Sequence, residues 1–100
     1  MPGRIQRRPS TPPARLFHGT ASETWPEIQN DGLLPMQRQF VHLSVDQDTA
    51  VLVGRRKSAS PIVLLVDSAA ASSAGVTFYE GNELLWLADS IPARFLGVAD

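Results

Sequence analysis

Pro61-Ile62-Val63-Leu64-Leu65-Val66 is the segment that most restricts the fold. Six consecutive apolar positions, rich in β-branched residues and opened by proline, read as a strand that is apolar on both faces and therefore central in a sheet. At 100 residues the chain supports one domain with one core.

The other elements are short. Arg15-Leu16-Phe17-His18 reads as a strand that ends at Gly19-Thr20. A helix follows, with Thr24 and Glu27 as a capping box, Pro26 in its first turn and Gly32 as its stop. Trp25, Ile28 and Leu33 form its apolar side. Phe40-Val41-His42-Leu43 reads as a second strand. Ser44 and Gln47 repeat the capping-box pattern, which predicts a helix over 45–53, ending near Gly54 and followed by a polar loop from Arg55 to Ser60. Residues 68–75 are small and read as a loose helical turn or a loop. Val76 to Tyr79 and Leu84 to Leu87 read as two short strands, and Ile91-Pro92 opens a last segment ending in Phe95-Leu96. Strands and helices do not alternate regularly, so the predicted class is α+β.

Composition excludes several classes of function. The chain has no cysteine, which removes disulfides, thiolate catalysis and zinc–thiolate sites. Two histidines without a carboxylate at ligand spacing make a poor zinc site, so no metal is expected. No segment approaches the ~20 apolar residues of a membrane span. Pro9, Pro12 and Pro13 stand where a signal peptide needs an apolar run, which makes a soluble, cytoplasmic protein the default expectation. Charge is uneven: residues 1–20 carry Arg4, Arg7, Arg8 and Arg15 with no acid, and the remainder is net −5. Residues 1–13 are expected to be a flexible basic arm, and residues 14–100 the folded domain.

The two histidines each end a predicted strand, His18 before Gly19-Thr20 and His42 before Leu43-Ser44. Strand ends beside loops are where α+β enzymes commonly place reacting groups. No glycine-rich phosphate loop follows a strand, and no nucleophile elbow surrounds Ser44.

Leu16-Phe17-His18-Gly19-Thr20, Gly32-Leu33-Leu34-Pro35 and Arg38-Gln39-Phe40-Val41-His42-Leu43-Ser44 resemble successive blocks of the tRNA 2′-phosphotransferases. So do Thr49-Ala50, Val53-Gly54-Arg55-Arg56, Phe78-Tyr79, Leu85-Trp86-Leu87 and Ile91-Pro92-Ala93-Arg94-Phe95-Leu96, in the same order over about residues 12–96. The resemblance implies a single lobe of the split β-sheet ADP-ribosyltransferase fold, with NAD as co-substrate and a phosphate-bearing acceptor such as RNA. It implies transfer of ADP-ribose from NAD to that phosphate, with nicotinamide displaced through an oxocarbenium-like state.

Carried over residue by residue, the catalytic set is His18, His42, Leu85 and Arg56. His18 would bond a ribose hydroxyl, the Gly19 backbone would hold the nicotinamide amide, and Thr20 and Ser44 would bond ribose or phosphate. His42 would lie against nicotinamide, and Arg38 near the NAD phosphates. The wider superfamily has Glu where Leu85 stands. A phosphate acceptor needs no general base, and a carboxylate there would repel it by roughly 4 kcal/mol per charge pair at ~4 Å. Arg56 would clamp the acceptor, because the guanidinium fork fits phosphate oxygens. Arg55 and Lys57 are expected to be solvated loop charges.

Members of that family also carry an N-terminal winged-helix lobe that grips RNA through an Arg-His pair and a further Arg. Residues 1–13 are too short for it, and the chain has no Arg-His dipeptide. The missing lobe would lie on another chain, or the acceptor would differ. Two other functions fit the same residues: a non-catalytic NAD or ADP-ribose binding module, and a toxin-like transferase acting on a protein or a nucleic-acid end.

Overall fold

The computed structural model describes residues 9–35 and 39–99. Among the described residues, six strands and three α-helices succeed one another: β1 (Leu16–Ala21), α1 (Trp25–Asp31), β2 (Val41–Ser44), α2 (Gln47–Lys57), β3 (Pro61–Val66), α3 (Ser68–Ser73), β4 (Phe78–Glu80), β5 (Leu85–Ala88) and β6 (Leu96–Val98). The strands form one antiparallel sheet in the order β4-β5-β2-β1-β3-β6. This is an α+β domain, and the apolar segment at Pro61–Val66 is an interior strand, as expected.

Alternation along the strands sorts side chains onto two faces. Leu16 pairs with Val66, Val41 with Ala88, Leu43 with Trp86, and Phe78 with Ala88. These residues share a core with Ile28 of α1 and Ala71 of α3. Leu16, Leu43, Leu64, Val66 and Ala88 are fully buried. Each large side chain there contributes roughly 1.5–3 kcal/mol by leaving water. The opposite face carries Phe17, Gly19, Val63 and Leu65, and α2 packs against it through Ala50 and Gly54.

Several helix ends differ from expectation. Thr24 has helical dihedrals and makes no side-chain cap, because a 3-10 turn over Ser22–Thr24 already leads into α1. Gly32 does end α1, with φ of 80°. α2 begins two residues later than predicted. Ser44 remains in β2, and the Asp46 carboxylate caps α2 by accepting from the Thr49 N–H at 2.7 Å. That hydrogen bond holds the Asp46 carboxyl below its usual range. Gly54 does not stop the helix, so Arg55, Arg56 and Lys57 form its last turn instead of a loop. Cations suit that end of the helix dipole.

The described part of the expected arm lies against the domain. Pro9 bridges to Tyr79, the Ser10 N–H donates to the Phe78 carbonyl at 2.8 Å, and the Ser68 hydroxyl donates to the Pro13 carbonyl at 2.7 Å. These contacts cover part of the outer edge of β4, where unpaired backbone would otherwise invite pairing with another chain.

Candidate active site

β1 pairs with β3 over its whole length, from Leu16↔Val66 to Ala21↔Pro61, and β2 pairs with β5 at four positions. Between β1 and β2 the register holds one pair, Phe17↔Ser44. The sheet is therefore two well-paired halves, β4-β5-β2 and β1-β3-β6, joined at a narrow seam. Both predicted histidines lie beside this seam, His18 one residue after Phe17 and His42 two before Ser44.

The His18 ring spans the seam. Its Nδ1 lies 2.9 Å from the main-chain carbonyl of His42. A carbonyl only accepts, so Nδ1 carries the proton and, in the neutral ring, Nε2 is an acceptor. The same reasoning applies to His42, whose Nδ1 donates to the Phe40 carbonyl at 3.0 Å. Alternation from the Phe17↔Ser44 pair assigns His42 and Ser44 to one face and His18 and Thr20 to the other. The link between the histidines is thus ring to main chain.

Electrostatics keep the His18 ring neutral. Burial pushes its pKa down to about 4, the Lys57 ammonium and the His42 ring push the same way, and only the hydrogen bond to the His42 carbonyl opposes them. Thr20 and Ser44 flank the seam as buried hydroxyl residues. Leu85 is half-buried and pairs with Ser44, so Leu65, Phe17, Ser44 and Leu85 form one row across the sheet.

Gly19 also serves the packing of α2. A Cβ there would collide with the Ala50 carbonyl oxygen and lie 2.7 Å from the Gly54 nitrogen. Its missing side chain makes room for α2. Gly54 supports the same close approach, since a Cβ there would lie 2.9 Å from Pro61 Cβ.

Lys57 is the residue that sequence reading missed. It closes α2 instead of lying in a loop, and although the residue is exposed its Nζ donates to the Gly19 carbonyl at 2.9 Å. Ala50, Gly54 and Lys57 follow one another at intervals of four and three, which puts them on one stripe of α2 facing β1. That spacing was the available signal, and the expected loop over Arg55–Ser60 hid it. Arg56 is exposed in the same helical turn. Arg38 lies outside the described residues. Among the described residues there is no group of three or more His, Asp or Glu that could hold a metal ion, and no helix long and apolar enough to cross a membrane.

The profile of the RNA 2′-phosphotransferase, Tpt1 / KptA family matches residues 3–90. The chain is 47% identical over 98 residues to a probable RNA 2′-phosphotransferase of Bacillus thuringiensis subsp. konkukian, covering 98% of the chain and 53% of that protein. It is 44% identical over 96 residues to the protein of the same description from Acetivibrio thermocellus, covering 96% of the chain and 53% of the relative. For the Streptomyces griseus protein the identity is 47% over 88 residues, 88% of the chain and 46% of the relative. The chain thus spans about half the length of these curated relatives. By profile and by identity alike, this chain belongs to the RNA 2′-phosphotransferase, Tpt1 / KptA family.

Proposed function

We propose that the chain carries the NAD-handling part of an RNA 2′-phosphotransferase and moves ADP-ribose from NAD to a phosphate acceptor, releasing nicotinamide. The observation that carries this reading is the His18–His42 bridge across the single-pair seam. It supports a split-sheet ADP-ribosyltransferase architecture, with NAD in the opening between the two halves. Residues 14–100 would form this NAD-binding domain, preceded by the basic segment 1–13.

In this reading each group at the seam has a task. His18 enters neutral and accepts a ribose hydroxyl at Nε2. The Gly19 backbone holds the nicotinamide amide, His42 lies against the ring from the other half-sheet, and Thr20 and Ser44 bond ribose or phosphate. Arg38 is assigned to the NAD phosphates on the resemblance alone. Arg56 meets the charge of the acceptor, and Leu85, beside Ser44, leaves that charge unopposed. An acceptor phosphate oxygen attacks the ribose carbon. The bond to nicotinamide breaks with its electron pair going to the ring nitrogen, and neutral nicotinamide leaves. In the full family the adjacent ribose hydroxyl then attacks that phosphate, giving a cyclic-phosphate form of ADP-ribose and freeing the RNA hydroxyl.

The RNA-gripping residues that the resemblance expects would belong to the half of the relatives this chain does not span. Orientation of an internal 2′-phosphate in line with the ribose carbon can be worth roughly 7–11 kcal/mol. The test is to incubate the chain with labelled NAD and equal amounts of internally 2′-phosphorylated and end-phosphorylated RNA. Nicotinamide release with slow turnover of the internal phosphate and faster modification of the end phosphate is expected. Efficient turnover of the internal phosphate would show that the other half is dispensable, and no nicotinamide release from either RNA would contradict the transferase reading.

A further inference from the structure

The last turn of α2 reaches the seam through one side chain. Ala50, Gly54 and Lys57 form the stripe of α2 that faces β1. The first two have minimal side chains, so the helix lies directly on Gly19. The third then has only a short distance to cover, and its Nζ reaches the Gly19 carbonyl at 2.9 Å. That carbonyl belongs to the Gly19–Thr20 peptide, immediately after His18.

We infer that Lys57 is a positioning residue for the NAD site: its ammonium holds the Gly19–Thr20 peptide, which follows His18, in one orientation. The inference rests on the reading of His18-Gly19-Thr20 as part of that site. An ammonium on a carbonyl oxygen is a charge-assisted hydrogen bond, stronger than the neutral kind. It adds a fixed point on the seam side to a peptide whose other side is held by the pairing of Gly19 and Thr20 with β3. A carbonyl oxygen accepts two hydrogen bonds, so a ligand amide can share it with Lys57.

The same ammonium acts on the ring. It is the charged group with the largest effect on His18 and favours the uncharged imidazole. The other ionisable groups on the elements packed around His18 are few. His42 on β2 acts in the same direction as Lys57. β3, which pairs with β1, carries no ionisable side chain, and on α2 Asp48, Arg55 and Arg56, exposed as Lys57 is, are not among the groups that shift His18. Asp46 is engaged at the start of α2, and Glu23 accepts from the Ser58 hydroxyl at 3.2 Å.

The test compares the wild-type chain with Lys57→Met and Lys57→Arg by two readouts. The first is an NMR pH titration of the His18 ring, assigned with the aid of His42→Gln. The second is the affinity for NAD at pH 7, with melting temperature as a control. In Lys57→Met the His18 midpoint should move up and NAD affinity should fall roughly ten-fold, as loss of one charge-assisted hydrogen bond implies. The melting temperature should stay within a few degrees, and Lys57→Arg should restore most of both properties. An unchanged His18 midpoint together with unchanged NAD affinity in Lys57→Met overturns the inference. So does a loss of affinity that Lys57→Arg fails to restore while the midpoint stays put. If the wild-type chain binds no NAD, the NAD-site reading fails and takes this role with it, while the titration still measures the Lys57–His18 coupling separately.

Discussion

The His18 ring donates its Nδ1–H to the His42 carbonyl at 2.9 Å, across 24 residues of sequence, where β1 and β2 share only the Phe17↔Ser44 pair. A side chain thus does what a ladder hydrogen bond does elsewhere in the sheet. The bond fixes the tautomer, with Nε2 as the acceptor. Burial, against the pull of this bond, keeps the ring neutral.

Acid should therefore weaken the fold through His18. The unfolded ring binds its proton near pH 6.5, whereas the folded ring does so only near pH 4. Between these values the unfolded state holds more protons, so stability rises with pH there. The neutral ring's contribution is complete above about pH 6.5 and is lost progressively as the pH falls toward 4. Over the whole window the change is on the order of 3 kcal/mol. Urea unfolding between pH 7 and 4 should show this slope, and His18→Gln should flatten it. An equal slope in the variant would place the acid sensitivity elsewhere.

The two glycines between β1 and α2 should respond unequally to alanine. At Gly19 the added methyl meets backbone, the Ala50 carbonyl and the Gly54 nitrogen, which can yield only if the helix moves. A loss of about 3 kcal/mol or more is expected. At Gly54 the nearest atom is Pro61 Cβ at 2.9 Å, and alanine recovers up to about 1 kcal/mol of helix propensity. The net cost should be about 1 kcal/mol. Urea midpoints of Gly19→Ala and Gly54→Ala give the comparison directly, and the reverse order would contradict this packing.

Much of this architecture is legible in the residues. The run Pro61–Val66 reads as an interior strand because nothing in it suits water. Gly32 reads as a stop because a positive φ favours glycine. The start of α2 reads wrongly because two capping patterns overlap, Ser44 with Gln47 and Asp46 with Thr49, and only pairing of Ser44 with Phe17 and Leu85 decides between them. Its end reads wrongly because Gly54 looks like a terminator, while its actual use is to bring the helix against Thr20 and Pro61. Lys57 was lost with that error. The packing use of Gly19 against α2 was not legible, because it joins positions 31 residues apart that no local pattern reveals.

Arg56 should matter for transfer more than for cofactor binding. It is exposed in the last turn of α2. With a phosphate acceptor, Arg56→Ala should slow turnover by about 10²–10³ and leave NAD affinity nearly unchanged. Single-turnover kinetics with end-phosphorylated RNA would measure this. An unaltered rate would remove Arg56 from the reaction.

Calorimetric titration of the chain with NAD, repeated with His18→Ala, is the most direct test of the site. The wild-type chain should bind with measurable heat and a rise in melting temperature, and His18→Ala should bind at least about ten-fold more weakly. A wild-type chain that gives neither heat nor a thermal shift at millimolar NAD would contradict the assignment of the β1–β2 seam as an NAD site.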